Sequence, residues 1–347
     1  MLAKLPETVT GLRSGADALT AAYRAQLRSR TYRTASLNAH PAPEVVPVVT
    51  SDGLRLRVHA YGPEHGEVIV LIHGWSCCIE YWNQQINAFS GEYRVVAYDQ
   101  RGHGESERSE RPEGRAELGE RRFGADQMAD DLSAVLDAVL RPGQRAILVG
   151  HSMGGMTIQA WAQRYPEQVD RRAAAVLLAT TAARQIPARA KVIPILGDLL
   201  EPPVWLAQTV FGAPLPLPGL APARMVFKSC IMSPEIDSDR AEFGLSIVRS
   251  CRPGVRGAVA RDLATLDLGA AAAHITVPTS VIAGAHDKLL PPVHSREIAD
   301  LLAESGNLDR FTVLPTGHLV NVEAPGEFNA ELHRMIGVAR QRAAVAS

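Results

Sequence analysis

Three short apolar runs constrain the fold of this chain more than any other feature of the sequence. They lie at residues 68–72, 95–98 and 146–149, and each ends where the chain becomes polar or rich in glycine. Because the side chains in these runs do not alternate between apolar and polar, each run predicts a strand buried on both faces. Strands of this kind form a parallel sheet that helices cover on both sides.

Flanking segments extend this pattern into a larger sheet. Residues 45–50 and 54–61 surround a Ser-Asp-Gly turn sequence and predict a hairpin. An apolar face at helical spacing predicts a helix before the third run, with Asp126 as its N-cap. Further apolar runs occur at 174–179, 279–283 and 311–314. The whole pattern predicts an α/β fold with an open, mostly parallel sheet of about eight strands covered by helices.

The alternation of strands and helices stops in two places. Residues 105–122 are charged and poor in apolar side chains, which predicts a solvated loop. Residues 181–271 keep frequent apolar side chains but contain many prolines, which predicts a helical cap inserted after the sixth strand. The α/β domain would then comprise residues 45–180 and 272–347.

Residues 1–44 form a distinct N-terminal leader. Its apolar side chains recur at spacings of three and four from about residue 7 to residue 31, and basic side chains occupy the other face. This pattern predicts a basic amphipathic helix. Such a helix can lie on a membrane surface, but packing against the parent domain is commoner. We therefore expect the leader to pack on the protein, with membrane-surface contact as the alternative.

The composition excludes several classes of function. Lysine and arginine total 36 against 37 aspartates and glutamates, so a net charge of −1 provides no field that would attract nucleic acid. No apolar run approaches the ~20 residues that a membrane span needs, and a cytoplasmic protein is the default expectation. The four cysteines form no CxxC pair, which favours reduced thiols over structural zinc or a disulfide framework.

The segment Gly150-His151-Ser152-Met153-Gly154 carries the strongest chemical signal in the chain. A buried strand leads into it, and a helical run follows it. This context predicts that Ser152 sits on a tight strand-to-helix turn, with its hydroxyl above the carboxyl edge of the sheet. Glycines at both ends of the motif fit that turn, because side chains there would collide with the neighbouring strand and helix. Ser152 is therefore the candidate nucleophile.

Two later loops offer partners for this serine. A serine hydroxyl needs a neighbouring base to take its proton, and the base needs an acid to orient it. Asp287 follows the predicted strand at 279–283, and His318 follows the predicted strand at 311–314. Both loops reach the same sheet edge as Ser152, and the chain order Ser152, Asp287, His318 is the order this architecture uses. We therefore expect a Ser152–His318–Asp287 triad.

The loop after the first apolar run has the sequence His73-Gly74-Trp75. Acyl transfer forms an oxyanion that needs two preorganised backbone donors. We expect the N–H of Met153, directly after Ser152, to supply one and the N–H of Trp75 to supply the other. The side chain of Trp75 would then overhang the pocket.

In their order along the chain, these motifs resemble the α/β-hydrolase superfamily over about residues 45 to 340. The resemblance is carried by His73-Gly74-Trp75, Asp99-Gln-Arg-Gly-His-Gly-Glu-Ser106, Gly150-His-Ser-Met-Gly154, Asp287 and Gly317-His318. It implies the α/β-hydrolase fold with a cap after the sixth strand, a Ser-His-Asp triad and no cofactor. It also implies that Asp99 holds a tight loop beside the site and takes no part in the chemistry. The His-Gly-Trp sequence is similar to that of bacterial esterases and cofactor-free perhydrolases.

A serine nucleophile favours attack on an acyl carbon, whereas epoxide hydrolases and haloalkane dehalogenases of this fold attack through an aspartate. Because the cap sequence is strongly apolar, we expect a small, uncharged, hydrophobic ester-like substrate. The residues expected to contact it are Trp75, His151, Trp205 and Phe211, and no metal is expected. Four alternatives remain: a thioesterase, a lactonase, a cofactor-free perhydrolase, and a non-catalytic ligand-binding protein.

Overall fold

A computed structural model describes residues 7–38, 41–106, 123–186 and 221–346, and a single eight-stranded sheet runs through them. The strands are β1 (Glu44–Val49), β2 (Arg55–Tyr61), β3 (Val68–Ile72), β4 (Arg94–Tyr98), β5 (Ala146–His151), β6 (Ala173–Ala179), β7 (Thr279–Gly284) and β8 (Leu308–Leu314). Their order across the sheet is β1-β2-β4-β3-β5-β6-β7-β8. The β1–β2 and β2–β4 pairs are antiparallel, and the other neighbouring pairs are parallel. The predicted mostly parallel sheet is therefore confirmed.

Helices cover this sheet, and some of them belong to an insertion between β6 and β7. The described helices are α1 (Glu7–Ser29), α2 (Asn83–Phe89), α3 (Ala125–Val139), α4 (Met153–Arg164), α5 (Pro166–Arg172), α6 (Ala221–Ile231), α7 (Ser238–Arg249), α8 (Pro253–Ala264), α9 (Pro292–Glu304), α10 (Val320–Glu323) and α11 (Pro325–Ala346). Short 3₁₀ turns lie at Ala35–Leu37, Ile79–Trp82 and Ala271–His274. Helices α6, α7 and α8 form the described part of the insertion after β6.

The expected N-cap of α3 is wrong by two residues. Gly124 occupies the N-cap position with an extended backbone, and it has no side chain with which to cap. Asp126 lies in the first turn of the helix, where its negative charge interacts favourably with the helix dipole. Its carboxylate also pairs with Arg164 at 3.2 Å.

The core occupies both faces of the sheet, as unalternating strands require. In β3, Val68, Val70 and Ile72 belong to one buried cluster, while Ile69 and Leu71 belong to the cluster on the opposite face. Because successive strand side chains point to opposite faces, each apolar residue of the run is buried against a different layer of helices.

Some sequence predictions fall on residues that the structure does not describe. These residues are 107–122, within the predicted solvated loop, and 187–220, within the predicted cap, including Trp205 and Phe211. The start of the loop is described, and it differs from the prediction. Ser106 is only 1% exposed, and its hydroxyl donates to the carbonyl oxygen of Asp99 at 2.5 Å. This hydrogen bond holds the chain against the end of β4.

The leader contacts both the sheet domain and the inserted helices. Arg28 pairs with Glu80 at 2.9 Å, and Arg30 pairs with Glu242 of α7 at 2.7 Å. The ring of Tyr32 meets Phe243 of α7 edge-on, with 5.4 Å between the ring centroids. These are contacts that packing on the protein requires. Across the described residues, no helix is both long and apolar enough to cross a membrane.

Two leucines of α1 provide a matched test of this packing. Leu27 is 6% exposed and Leu19 is 39% exposed, although both lie on the same apolar stripe. Leu27→Ala should lower the free energy of unfolding by about 2–5 kcal/mol, because it leaves a cavity in a packed site. Leu19→Ala should change it by no more than about 0.5 kcal/mol. Urea denaturation of both variants measures the difference.

Equal, small effects of the two substitutions would contradict packing of the leader on the protein. The membrane alternative would then be supported if the wild-type chain sedimented with anionic vesicles and the Leu27→Ala variant did not.

Candidate active site

Ser152 lies between β5 and α4 in a strained backbone conformation. Its φ is 53° and its ψ is −118°, a left-handed conformation that non-glycine residues rarely adopt. Hydrogen bonds on both sides hold it there: its N–H donates to Ala179 O at 2.9 Å, and its carbonyl accepts from Thr181 Oγ1 at 2.7 Å. The predicted strand-to-helix turn is therefore present, with a serine at its apex.

This turn requires the backbones of three segments to approach closely. A Cβ at Gly154 would lie 2.0 Å from the carbonyl oxygen of Ile72, the last residue of β3. A Cβ at Gly74 would lie 3.0 Å from the Cβ of Ser152. The loop after β3 therefore lies directly against the serine, which is the arrangement that an oxyanion donor on that loop needs.

Asp287 and His318 are brought together as predicted. The Oδ2 atom of Asp287 lies 2.7 Å from Nδ1 of His318. The side chain of Asp287 has no exposed surface, and that of His318 is 5% exposed. The other carboxylate oxygen of Asp287 accepts from the N–H groups of Leu289 and Leu290 at 2.9 and 2.8 Å. These bonds fix the carboxylate, which in turn fixes the ring.

The backbone of His318 is tied to the turn that carries Ser152. Its carbonyl oxygen accepts from Nε2 of His151 at 2.9 Å and from Oγ1 of Thr180 at 2.9 Å. Within the described residues, no hydrogen bond joins the Ser152 hydroxyl to the His318 ring, a bond that often tightens only when substrate is present. The two residues are therefore held near each other through His151, the chain neighbour of Ser152.

His151 lies in a different environment from the one expected of a substrate contact. It is 1% exposed, and its ring packs between those of Tyr81 and His318, at centroid distances of 4.8 and 4.9 Å. Burial, followed by the charge that His318 can carry, lowers the pKa of His151 well below its ordinary value. A neutral ring that donates from Nε2 supports the loop that carries His318, so the described contacts of His151 are internal to the protein.

The two expected oxyanion donors are backbone N–H groups at the start of α4 and in the loop after β3. Met153 is the first residue of α4, so its N–H has no acceptor one turn earlier in the helix. Trp75 is half-buried, and its indole N–H donates to the carbonyl oxygen of Arg256 in α8 at 2.9 Å. The side chain of Trp75 therefore joins the loop after β3 to the insertion.

Gln100 also holds this loop, and the sequence analysis did not identify it. Its side-chain amide donates to His73 O at 2.5 Å and accepts from Thr157 Oγ1 of α4 at 2.9 Å. Its backbone N–H donates to Nε2 of His73 at 3.0 Å, while Nδ1 of that ring lies 2.7 Å from Gly74 O. Gln100 thus bridges the two segments that carry the expected oxyanion donors.

The roles of Gln100 and Thr180 had no clear signal in the sequence. A glutamine or threonine after a strand is common, and only the folded geometry shows which backbone group each one meets. Asp99, in contrast, has the role that the resemblance implied: Oδ1 accepts from Ile79 N at 2.7 Å, and Oδ2 accepts from Glu105 N at 2.8 Å.

A buried cluster of charged side chains includes Asp99. Arg57 pairs with Glu80 at 3.0 Å and with Asp99 at 3.1 Å. Burial acts to raise the pKa of Glu80, but the charges of Arg57 and Arg28 lower it overall. All four cysteines lie among the described residues, where they are buried and form no disulfide. Among the described residues, no group of three or more His, Cys, Asp or Glu side chains is arranged to hold a metal ion.

Comparison with known proteins agrees with this geometry. Residues 69–331 match the Alpha/beta hydrolase family. The chain belongs to that family. The α/β hydrolase is 27% identical over 284 residues to 3-oxoadipate enol-lactonase 2 of Acinetobacter baylyi, an alignment that covers 81% of this chain and 92% of that protein.

Two further relatives are similar over different extents. A bifunctional esterase/perhydrolase of Acinetobacter calcoaceticus is 36% identical over 132 residues, which is 38% of the α/β hydrolase described here and 43% of the relative. The solved structure of a thermophilic esterase from Thermogutta terrifontis has a TM-score of 0.66 at 21% identity, covering 86% of this chain and 99% of that one. The latter likeness establishes the fold alone.

Buried imidazoles should make the stability of this hydrolase sensitive to acid. Burial lowers the pKa of His73 to about 4 and that of His103 to about 3, from an ordinary value of 6.5. From pH 6.5 down to about 4, the unfolded chain binds protons that the folded chain does not, so stability falls as pH falls. Burial raises the pKa of Asp131 to about 6 and also raises that of Asp99, and these two carboxyl groups oppose the trend.

Urea denaturation at pH 7, 6 and 5 should therefore show a progressive loss of stability, by up to about 1.4 kcal/mol per pH unit for each imidazole. His103→Gln should reduce this slope, since it removes one of the groups. A stability that is constant over this range would contradict the neutral, buried state of these rings.

Proposed function

We propose that the protein is a serine hydrolase that cleaves uncharged, hydrophobic carboxylic esters through an acyl-enzyme on Ser152. The observation that carries this proposal is the buried 2.7 Å hydrogen bond between Asp287 and His318, beside a turn with a serine at its apex. A ligand-binding protein does not need a buried carboxylate behind a histidine, whereas acyl transfer does.

In the proposed mechanism, His318 is the general base. Its neutral ring takes the proton of the Ser152 hydroxyl as the serine oxygen attacks the acyl carbon. The same ring then returns the proton to the leaving alcohol, which leaves an acyl group on Ser152. Water, activated by His318, releases the acid and restores the serine.

Asp287 orients this base and stabilises its charged form. Its Oδ2 atom fixes the Nδ1–H tautomer of His318, so that Nε2 carries no proton and can accept the one from the serine. A buried ion pair of this kind is favourable at the moment when the imidazolium forms, since little water screens it. The N–H groups of Met153 and Trp75 are the proposed donors to the oxyanion that develops on the substrate.

The proposed substrate class rests on the apolar surroundings of these groups. Trp75 and Met153, which carry the proposed donors, and Leu319, the chain neighbour of His318, all have apolar side chains. The sequence of the insertion is also rich in apolar side chains. Such surroundings favour acyl or aryl groups without charge, because burying an unpaired charge is costly.

Lactone hydrolysis is the second candidate. It uses the same steps, since a lactone is a cyclic ester whose leaving alcohol stays on the acyl chain. The alignment that covers 92% of an enol-lactonase favours it over thioester hydrolysis. Comparing turnover of simple aliphatic lactones with that of open-chain esters of equal carbon number separates the two candidates.

Loss of the nucleophile should abolish turnover without unfolding the chain. Ser152→Ala removes one hydroxyl and should lower kcat by several orders of magnitude, as triad substitutions do. It should also prevent labelling by a fluorophosphonate probe, whereas Ser90→Ala at the end of α2 should label like the wild type. Retention of more than about a tenth of wild-type turnover by pure Ser152→Ala protein would reject the nucleophile.

Asp287→Asn tests the acid in the same assay. It should lower kcat far more than it changes KM, because Asp287 acts on the imidazole and not on the substrate. Asp300→Asn, an exposed aspartate of α9, is the matched control and should leave both constants unchanged. Normal kcat in Asp287→Asn would show that another carboxylate orients the base.

A series of p-nitrophenyl esters tests the substrate class. The value of kcat/KM should rise from acetate toward octanoate, because each buried methylene contributes up to ~0.8 kcal/mol of binding. Esters that carry a carboxylate at the end of the acyl chain should be poorer substrates than neutral esters of the same length. A steady decline from acetate to octanoate would indicate a small, closed pocket and contradict the proposal.

A further inference from the structure

We propose that Glu323 is a positioning residue that holds the base loop, the segment 315–319 that carries His318, and couples it to the inserted helices. The inference rests on the proposed function, since His318 is the base. Glu323 ends α10, and its carboxylate accepts three backbone hydrogen bonds. Oε2 accepts from Gly317 N at 2.9 Å and from Ser233 N at 2.8 Å, and Oε1 accepts from Leu319 N at 3.2 Å.

These donors come from two parts of the chain that have distinct roles. Gly317 and Leu319 flank His318, so the carboxylate fixes the backbone on both sides of the base. Ser233 lies between α6 and α7, within the insertion after β6. One side chain therefore joins the base loop to the helices that lie over this edge of the sheet.

The end of α6 also contacts the base loop directly. The backbone N–H of His318 donates to the carbonyl oxygen of Ile231 at 2.6 Å. A Cβ at Gly317 would lie 2.5 Å from that same oxygen and 2.5 Å from the Cα of Met232. The backbones of the base loop and of the end of α6 are therefore in direct contact. The carboxylate of Glu323 adds hydrogen bonds to both segments.

A carboxylate suits this position better than an amide does. Three N–H donors converge on two oxygens, and hydrogen bonds to a charged acceptor are stronger than those between neutral groups. A glutamine would keep one acceptor oxygen but would turn an NH₂ group toward N–H donors. Glu323→Gln therefore weakens these hydrogen bonds while it preserves side-chain volume.

Weaker hydrogen bonds from Glu323 should affect the rate of the chemical step more than substrate binding. The ring of His318 is carried by a backbone that Glu323 fixes, and a displacement of about 1 Å in a reacting group can cost about 100-fold in rate. We expect Glu323→Gln to lower kcat by about 10- to 100-fold, with KM within about twofold of wild type. The rate of fluorophosphonate labelling should fall by the same factor as kcat.

Glu327→Gln is the matched control, because it makes the same chemical change at an exposed position in the first turn of α11. Turnover is expressed per active site titrated, so that misfolded protein does not count as slow enzyme. Hydrogen exchange is measured in parallel. Peptides covering 231–236 and 316–323 should lose protection together in Glu323→Gln and keep it in Glu327→Gln.

Glu323→Asp provides a second variant if the amide unfolds the chain. It keeps the charge at a shorter reach, so its kcat should lie between those of wild type and Glu323→Gln. Lower stability with normal kcat per active site in both variants would overturn the positioning role. Unchanged protection of the 231–236 peptide in Glu323→Gln would overturn the coupling to the insertion.

The proposed function fails separately, if the wild-type chain neither reacts with the probe nor turns over any ester. In that case the catalytic part of the inference falls with it. The exchange experiment still decides whether Glu323 couples the two segments.

Discussion

Close backbone contact at the carboxyl edge of the sheet is the constraint on which the rest of the site depends. A side chain at Gly154 would collide with the last carbonyl of β3, and one at Gly284 would lie 2.1 Å from the carbonyl oxygen of Gly317. The first contact places Ser152 beside the loop after β3, and the second places the loop of Asp287 beside that of His318. A parallel sheet places the loops after its strands at one edge. The glycines where these loops touch allow Ser152, Asp287 and His318 to lie close together at that edge.

Most supports of the site are hydrogen bonds to backbone atoms. The carbonyl of His318 is held by His151 and Thr180, and the loop after β3 is held by Gln100. Supports of this kind fix the position of His318 without using its side-chain atoms. Of the two ring nitrogens, Nδ1 meets Asp287, and Nε2 remains for the role proposed above.

The sequence predicted the sheet and the three site groups because each follows a strong local pattern. Unalternating apolar runs specify buried parallel strands, and residues that follow such strands must meet at one edge. The positions of His151 and Glu323 could not be predicted in this way. A histidine beside the serine is compatible with either a pocket wall or a buried support, and its 1% exposure depends on Tyr81 and His318, which are distant in sequence. Asp126 was misassigned because a glycine, which has no capping side chain, occupied the N-cap.

Three of the four described non-glycine residues with a positive φ lie next to the site, and the fourth is Gln185. Ser76, Ser152 and Thr180 have φ values of 64°, 53° and 42°, and each such conformation costs of order 1–3 kcal/mol in a residue with a side chain. Glycine would adopt all three conformations more readily. Selection for thermodynamic stability alone would therefore tend to replace these residues with glycine. If the hydroxyl of Ser152 were not required, glycine at position 152 would give the more stable chain, so a homologue that does not need a hydroxyl there would be expected to drift toward glycine.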